Sequence, residues 1–212
     1  GKIEARNLFL IAQASMARRT LIDVRASRDL YAQASELDRN NPRYIAGYAQ
    51  AVAIQYWNFR DISPEEAITE ASAAIERALQ LSPNDPDILA IAGLVAELKA
   101  STAADPDAKA KALEYYQQAI SIDPDNILAL QWLASIYLDI NEAELSRDNF
   151  ERVVELDPLN TLALTGLANA YHGLGSVDQA RLHLYKVQSL FPHLGLSYRY
   201  LSFGESAVGR LD

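Results

Sequence analysis

Three histidines, a glycine pair and many carboxylates are the residues of this 212-residue chain whose types could do chemistry. A histidine can ligate a metal or shuttle a proton near neutral pH. His172, His183 and His193 stand eleven and ten residues apart on three different predicted elements, without the i, i+4 pairing of a metal-binding helix. A packing role is the expected one. Gly173-Leu174-Gly175 lacks the preceding strand that a dinucleotide-binding loop needs. It reads as a helix-ending turn, where glycine supplies left-handed backbone geometry. Carboxylates could act as general acids only if a buried pocket moved their pKa values, and no motif here builds one. With no cysteine there is neither a disulfide nor a thiol nucleophile, and zinc sites built on cysteine lack their ligands. The expectation is a non-enzyme without cofactor, catalytic residue or metal site.

The net charge of −9 argues against nucleic acid, because phosphate binding needs a basic face. Residues 1–60 hold nine Lys/Arg against five Asp/Glu, and residues 61–212 hold ten against twenty-three. That split of +4 and −13 has two readings. One is solvated helix faces; the other is an electrically polar rod docking its two ends on different partners. No run approaches the ~18 consecutive apolar residues of a membrane span, and no signal peptide is in view. Membrane insertion is therefore not expected. The cytoplasm is the expected compartment, with the periplasm left open. The chain opens on Gly1 rather than Met, as a piece excised from a longer protein would.

What positions these residues is a repeat. Pro124, Pro158 and Pro192 lie 34 residues apart, and residues 127–160 and 161–194 align without a gap. Leu130/Leu164, Leu133/Leu167, Ala134/Ala168, Tyr137/Tyr171, Phe150/Leu184 and Val153/Val187 fall in register. A period of this length means stacked helix pairs, each burying its apolar face against its neighbours. Pro83 lies 41 residues before Pro124, and Arg39 lies 44 before Pro83, so two repeats carry seven and ten extra residues. Because the second helices stay in phase, these are assigned to the turn inside each pair, where insertions cost little entropy. Ser63-Pro64-Glu65-Glu66, Asp85-Pro86 and Asn41-Pro42 read as helix starts, and Asn141 with Glu144 as a capping-box-like one. The pattern predicts helices over 3–18, 22–38, 42–59, 64–81, 86–101, 106–122, 127–140, 142–156, 161–174 and 177–190, each with an i, i+3, i+4, i+7 stripe. Residues 195–204 are expected as a capping helix and 205–212 as a frayed tail.

The fourth repeat offers Leu130, Leu133, Ala134, Tyr137, Ser146, Phe150, Val153 and Pro158, and the fifth Leu164, Leu167, Ala168, Tyr171, Ala180, Leu184, Val187 and Pro192. The third has Leu89, Ala92, Gly93, Ala96, Ala112, Tyr116, Ala119 and Pro124; the second keeps Tyr48, Ala49, Ala71, Ile75, Ala78 and Pro83. The first is weakest, with Ile11, Ala12, Tyr31 and Ala34. These residues resemble the tetratricopeptide repeat. The resemblance implies an all-α, right-handed solenoid of about five helix pairs plus the cap, over one domain spanning 1–212 (repeats 3–40, 41–84, 85–125, 126–160 and 161–194). The order of parts, with a degenerate first helix, the Arg18-Arg19-Thr20 turn and the Ala34-to-Asp38 helix end, is also similar to the C-terminal repeat regions of bacterial nucleotide cyclases and transcription regulators.

By resemblance, such repeats bind a protein or peptide in the groove lined by each pair's first helix. Repeat positions 2, 5, 9 and 12 would face that groove. They hold Arg43, Ala46, Gln50 and Ala53; Asp87, Ala90, Leu94 and Glu97; Leu128, Gln131, Ser135 and Leu138; and Leu162, Thr165, Asn169 and His172. The Lys/Asn clamp that some members use for a C-terminal carboxylate is absent from these positions. A mixed polar and apolar groove remains, with Trp132 leaning toward it, suited to a segment held by apolar anchors and amide hydrogen bonds. Tyr56, Trp57 and Phe59 form a second candidate patch. They either anchor a partner or fold the end of a long helix onto its neighbour. The function expected is a non-catalytic interaction scaffold. The alternative is a regulatory or sensor module of a larger bacterial signalling protein, and self-association stays open.

Overall fold

The structure, a computed structural model, describes residues 1–103 and 106–190. The expected capping helix, the tail and His193 lie outside the described residues. Those residues form ten α-helices and no strand. The helices are α1 (Lys2–Arg18), α2 (Leu21–Leu37), α3 (Pro42–Phe59), α4 (Pro64–Leu81) and α5 (Pro86–Ala103). They continue with α6 (Pro106–Ile122), α7 (Ile127–Asp139), α8 (Ala143–Leu156), α9 (Thr161–Gly173) and α10 (Val177–Leu190). The chain divides into two compact units, Gly1–Ala129 and the residues from Leu130 onward.

Local chemistry sets most helix ends. Ser63 caps α4 by accepting from the Glu66 amide at 3.1 Å, with Pro64 in the first turn. Asn41 and Asp85 cap α3 and α5 in the same way, and Asp123 and Asp157 follow the ends of α6 and α8. Asn141 is a correction. It does not start α8 but ends α7, with φ of 62°. Its amide bonds to the Leu138 carbonyl, and the next amide, of Glu142, bonds back to Tyr137. Gly175, one repeat later, does the same after α9 with φ of 73°. Asparagine tolerates the left-handed region better than most residues, which lets it stand in for glycine in this Schellman turn.

The extra residues are a second correction. The second pair has helices of 18 and 18 residues joined by residues 60–63, whereas the fourth has 13 and 14 joined by 140–142. Nine of its ten additional residues therefore lengthen helices, and one lengthens the turn. The third pair, with 18 and 17, puts all of its additional length into helix. The first pair is similarly long, at 17 and 17. Continuing a helix adds a hydrogen bond per residue, so a longer rod wins over a longer loop even where, as over residues 56–59, the residues are only middling helix formers. At about 1.5 Å per residue the five added residues of α3 carry it ~7 Å past the end of a 13-residue helix.

Packing in each unit follows from where the chain is small. In the first unit Ser27, fully buried on α2, donates its hydroxyl to the Ala12 carbonyl on α1 at 2.9 Å. In the second unit Ser146 on α8 does the same to Ala134 on α7, also at 2.9 Å. Close backbone approach at three glycines makes room for a buried aromatic ring. Tyr31 lies on Gly47 of α3, Tyr116 on Gly93 of α5, and Phe150 on Gly166 of α9. All three aromatics are buried. The degenerate first repeat packs through Phe9, whose ring lies 5.7 Å from Tyr31 and 5.0 Å from Tyr44. Ile11, expected at a packing position, is exposed, while its neighbour Ala12 is buried.

Candidate partner-binding face

The first helices of the pairs carry the candidate residues. In the first unit α3 and α5 pack against each other. Ala46, Ala53 and Ala90 form a buried alanine floor with Leu94, which is 0% exposed. Leu94, expected as an apolar anchor in the groove, is instead core, because the alanines let the two helices close over it. Arg43 is exposed but held, its Nε bonded to Asp85 at 3.0 Å and its guanidinium 3.8 Å from Asp87. The one cation expected in the groove is thus matched by two carboxylates at the start of α5. Gln50 stays half-buried. Glu97 accepts the Tyr116 hydroxyl at 2.5 Å. Burial first, and then this carboxylate, push the Tyr116 phenol well above its ordinary pKa.

In the second unit Ser135 bonds back to the Gln131 carbonyl at 3.1 Å, and Gln131 is buried. Trp132 is 8% exposed, with its indole N–H unpaired among the described residues. It is covered by the chain itself rather than displayed. Asn169 is half-buried on α9, and His172 is exposed in the last turn of that helix. The displayed candidates are therefore Arg43, Gln50, Glu97, Ser135, Asn169 and His172, while Leu94, Gln131 and Trp132 are underlying structure.

Tyr56, Trp57 and Phe59 occupy the added length of α3, all half-buried. Arg60, left-handed at φ of 52°, ends the helix and lays its guanidinium 4.3 Å from the Tyr56 ring centroid. Beside them lies a polar network that sequence reading missed. Arg28 on α2 donates to Gln55 at 3.1 Å, Glu66 at 3.2 Å and Glu70 at 2.6 Å. Tyr48 also donates to Glu70, at 2.5 Å, and Gln55 donates to Asp61 at 2.6 Å. Arg25 forks onto Asp61. The hydrogen bonds from Arg25 and Gln55 hold the Asp61 carboxyl below the usual range. Together with Arg18–Asp23 and Arg43–Asp85, this ties four of the nine N-terminal cations to carboxylates, which lowers the free positive charge of that region. The available signal was Arg25/Arg28 at i, i+3 on one helix and Glu66/Glu70 at i, i+4 on another.

Among the described residues no group of three His, Asp or Glu side chains gathers as a metal ion would need, and no helix is long and apolar enough to cross a membrane. Tetratricopeptide-repeat family models match residues 98–126 and 115–148. No curated protein matches the sequence. Among solved structures, a thermophilic tetratricopeptide-repeat protein of Thermus thermophilus superposes with a TM-score of 0.72 at 16% identity, over 93% of this chain and 97% of its own. A tetratricopeptide-repeat protein of Parabacteroides merdae gives 0.56 at 17% identity, over 97% and 74%. YrrB, described as such a protein with an unusual peptide-binding site, gives 0.54 at 17% identity, over 92% and 90%. Residues 98–148 match tetratricopeptide-repeat models, and the described residues have the all-α fold of tetratricopeptide-repeat proteins.

Proposed function

We propose that this protein is a non-catalytic scaffold whose first helices bind an extended or helical segment of another protein. The observation that carries the reading is the makeup of those helices. Half-buried amide and hydroxyl side chains, Gln50 in the first unit and Ser135 and Asn169 in the second, stand among alanine and leucine, with Arg43, Asp87, Glu97 and His172 as the charged or titratable members of the same faces. An amide both donates and accepts, which suits the backbone of a polypeptide and needs no charge on the partner. YrrB, with the same fold, is described as having a peptide-binding site.

The test is a random-peptide display selection on the purified chain, with retesting on Gln50→Ala and Asn169→Asp. Selected peptides should lose about tenfold or more on at least one variant, the ~1.4 kcal/mol expected for a hydrogen bond lost at a partly desolvated site. Peptides that bind both variants as tightly as the parent would place the site elsewhere.

A further inference from the structure

The third repeat departs from its neighbours at the positions that should hold its largest residues. Where the fourth and fifth repeats have Leu133 and Leu167, the third has Ala92; where they have Tyr137 and Tyr171, it has Ala96. Shortening both side chains leaves a recess of about 310 Å³ between α4, α5 and α6, within the first unit. Its floor is apolar: Ile75, Leu79, Ala92, Val95, Ala96 and Ala108.

The last pair shows what such a place accommodates. Tyr171 stacks on His183 of α10, with ring centroids 5.4 Å apart and planes 10° apart. Its hydroxyl donates to Glu151 of the preceding second helix at 2.6 Å. Counted in the repeat, His183 is position 23 and Glu151 position 25 of the repeat before. The residues at those positions around the recess are Tyr115 and Glu76, and both line it. The recess therefore keeps an aromatic wall at Tyr115, with the Lys111 ammonium 5.6 Å from its ring centroid, and a carboxylate acceptor, with alanine in place of the tyrosine they would hold; Asp107 and Lys111 complete the lining. Lys99 stands 3.8 Å from Glu76 and takes up only part of what that carboxylate can accept, since its two oxygens offer about four lone-pair sites.

We infer that this recess is a binding site for a tyrosine side chain of a partner polypeptide, stacked on Tyr115 and donating its hydroxyl to Glu76. The geometry favours a phenol over a plain benzene ring, because only the phenol can donate to Glu76, whose side chain is 66% exposed and keeps acceptor sites beside Lys99. None of its lining residues belongs to the partner-binding face described above, so either site can fail without the other.

The experiment is a titration with N-acetyltyrosinamide, followed through the methyl NMR signals of Ala92, Ala96 and Ala108, with N-acetylphenylalaninamide as comparison. The expected result is saturable movement of those signals at millimolar ligand, at least threefold weaker for the phenylalanine compound. Glu76→Leu, which removes the acceptor, should erase that preference. Ala96→Tyr, which supplies the missing ring from the chain itself, should abolish binding while keeping the helical spectrum; Ala92→Leu is the milder filling should the tyrosine distort the fold. Unmoved alanine signals, equal response to both compounds, or binding that survives the filled recess would overturn the assignment.

Discussion

Gly166→Ala is the sharpest test of how these repeats pack. An alanine Cβ at this position would lie 2.3 Å from Cζ of Phe150, with further ring atoms at 2.4 and 2.7 Å. Phe150 is buried and cannot swing aside. Two effects compete. Replacing a mid-helix glycine by alanine should stabilise α9 by about 1 kcal/mol, whereas forcing a methyl into a filled core costs about 1–3 kcal/mol. Contacts this short put the site at the upper end of that range, so the net is destabilisation of about 1–2 kcal/mol. At this size that lowers Tm by roughly 2–8 °C. The assay is thermal unfolding followed by circular dichroism, repeated in a Phe150→Leu background. There the smaller side chain opens room, and adding Gly166→Ala should be neutral or stabilising. If Gly166→Ala raises Tm in the parent chain, the ring does not press on the glycine and the packing argument fails.

Other outcomes follow from the same geometry. Tyr116→Ala and Phe150→Ala should each cost about 3–5 kcal/mol through the cavity left in a closed core, measured by denaturant unfolding; Tyr171→Ala, half-buried, should cost less than either. His183 sits against Tyr171, and burial first, then Lys186, lowers its pKa. The folded state thus prefers neutral imidazole, so this contribution is complete above the unfolded pKa of about 6.5. It declines as the pH falls through the folded value; His183→Phe should flatten that part of a Tm-against-pH curve. Asp61 has a depressed folded pKa, so its contribution is present above about pH 4 and lost only as the solution turns more acidic. Asp61→Asn should remove that acid limb and loosen the α3–α4 turn, read by amide hydrogen exchange.

The fold was legible because the period repeats the packing positions themselves. Prolines 34 apart, small residues at Ala134 and Ser146, and Phe150 in register with Leu184 report which surfaces must touch. Two features were not legible. The extra residues of the second and third pairs could sit in loops or in helices, and only the competition between loop and helix decided for helices. Burial at Leu94, Gln131 and Trp132 depends on how far neighbouring helices close, which no single position reveals; at Leu94 the alanines of α3 and α5 determine it jointly. The network around Arg28 was hidden for a similar reason. Its members come from α2, α3, α4 and the turn at Asp61, up to 42 residues apart in sequence, and meet only in the folded chain.

The central claim is that the first helices carry the partner-binding face. Hydrogen–deuterium exchange of the chain, with and without a display-selected peptide, tests it most directly. The account predicts added protection on α3 and α5 around Gln50 and Glu97, or on α9 around Asn169, with α2, α8 and α10 unchanged. Protection confined to the second helices would contradict it.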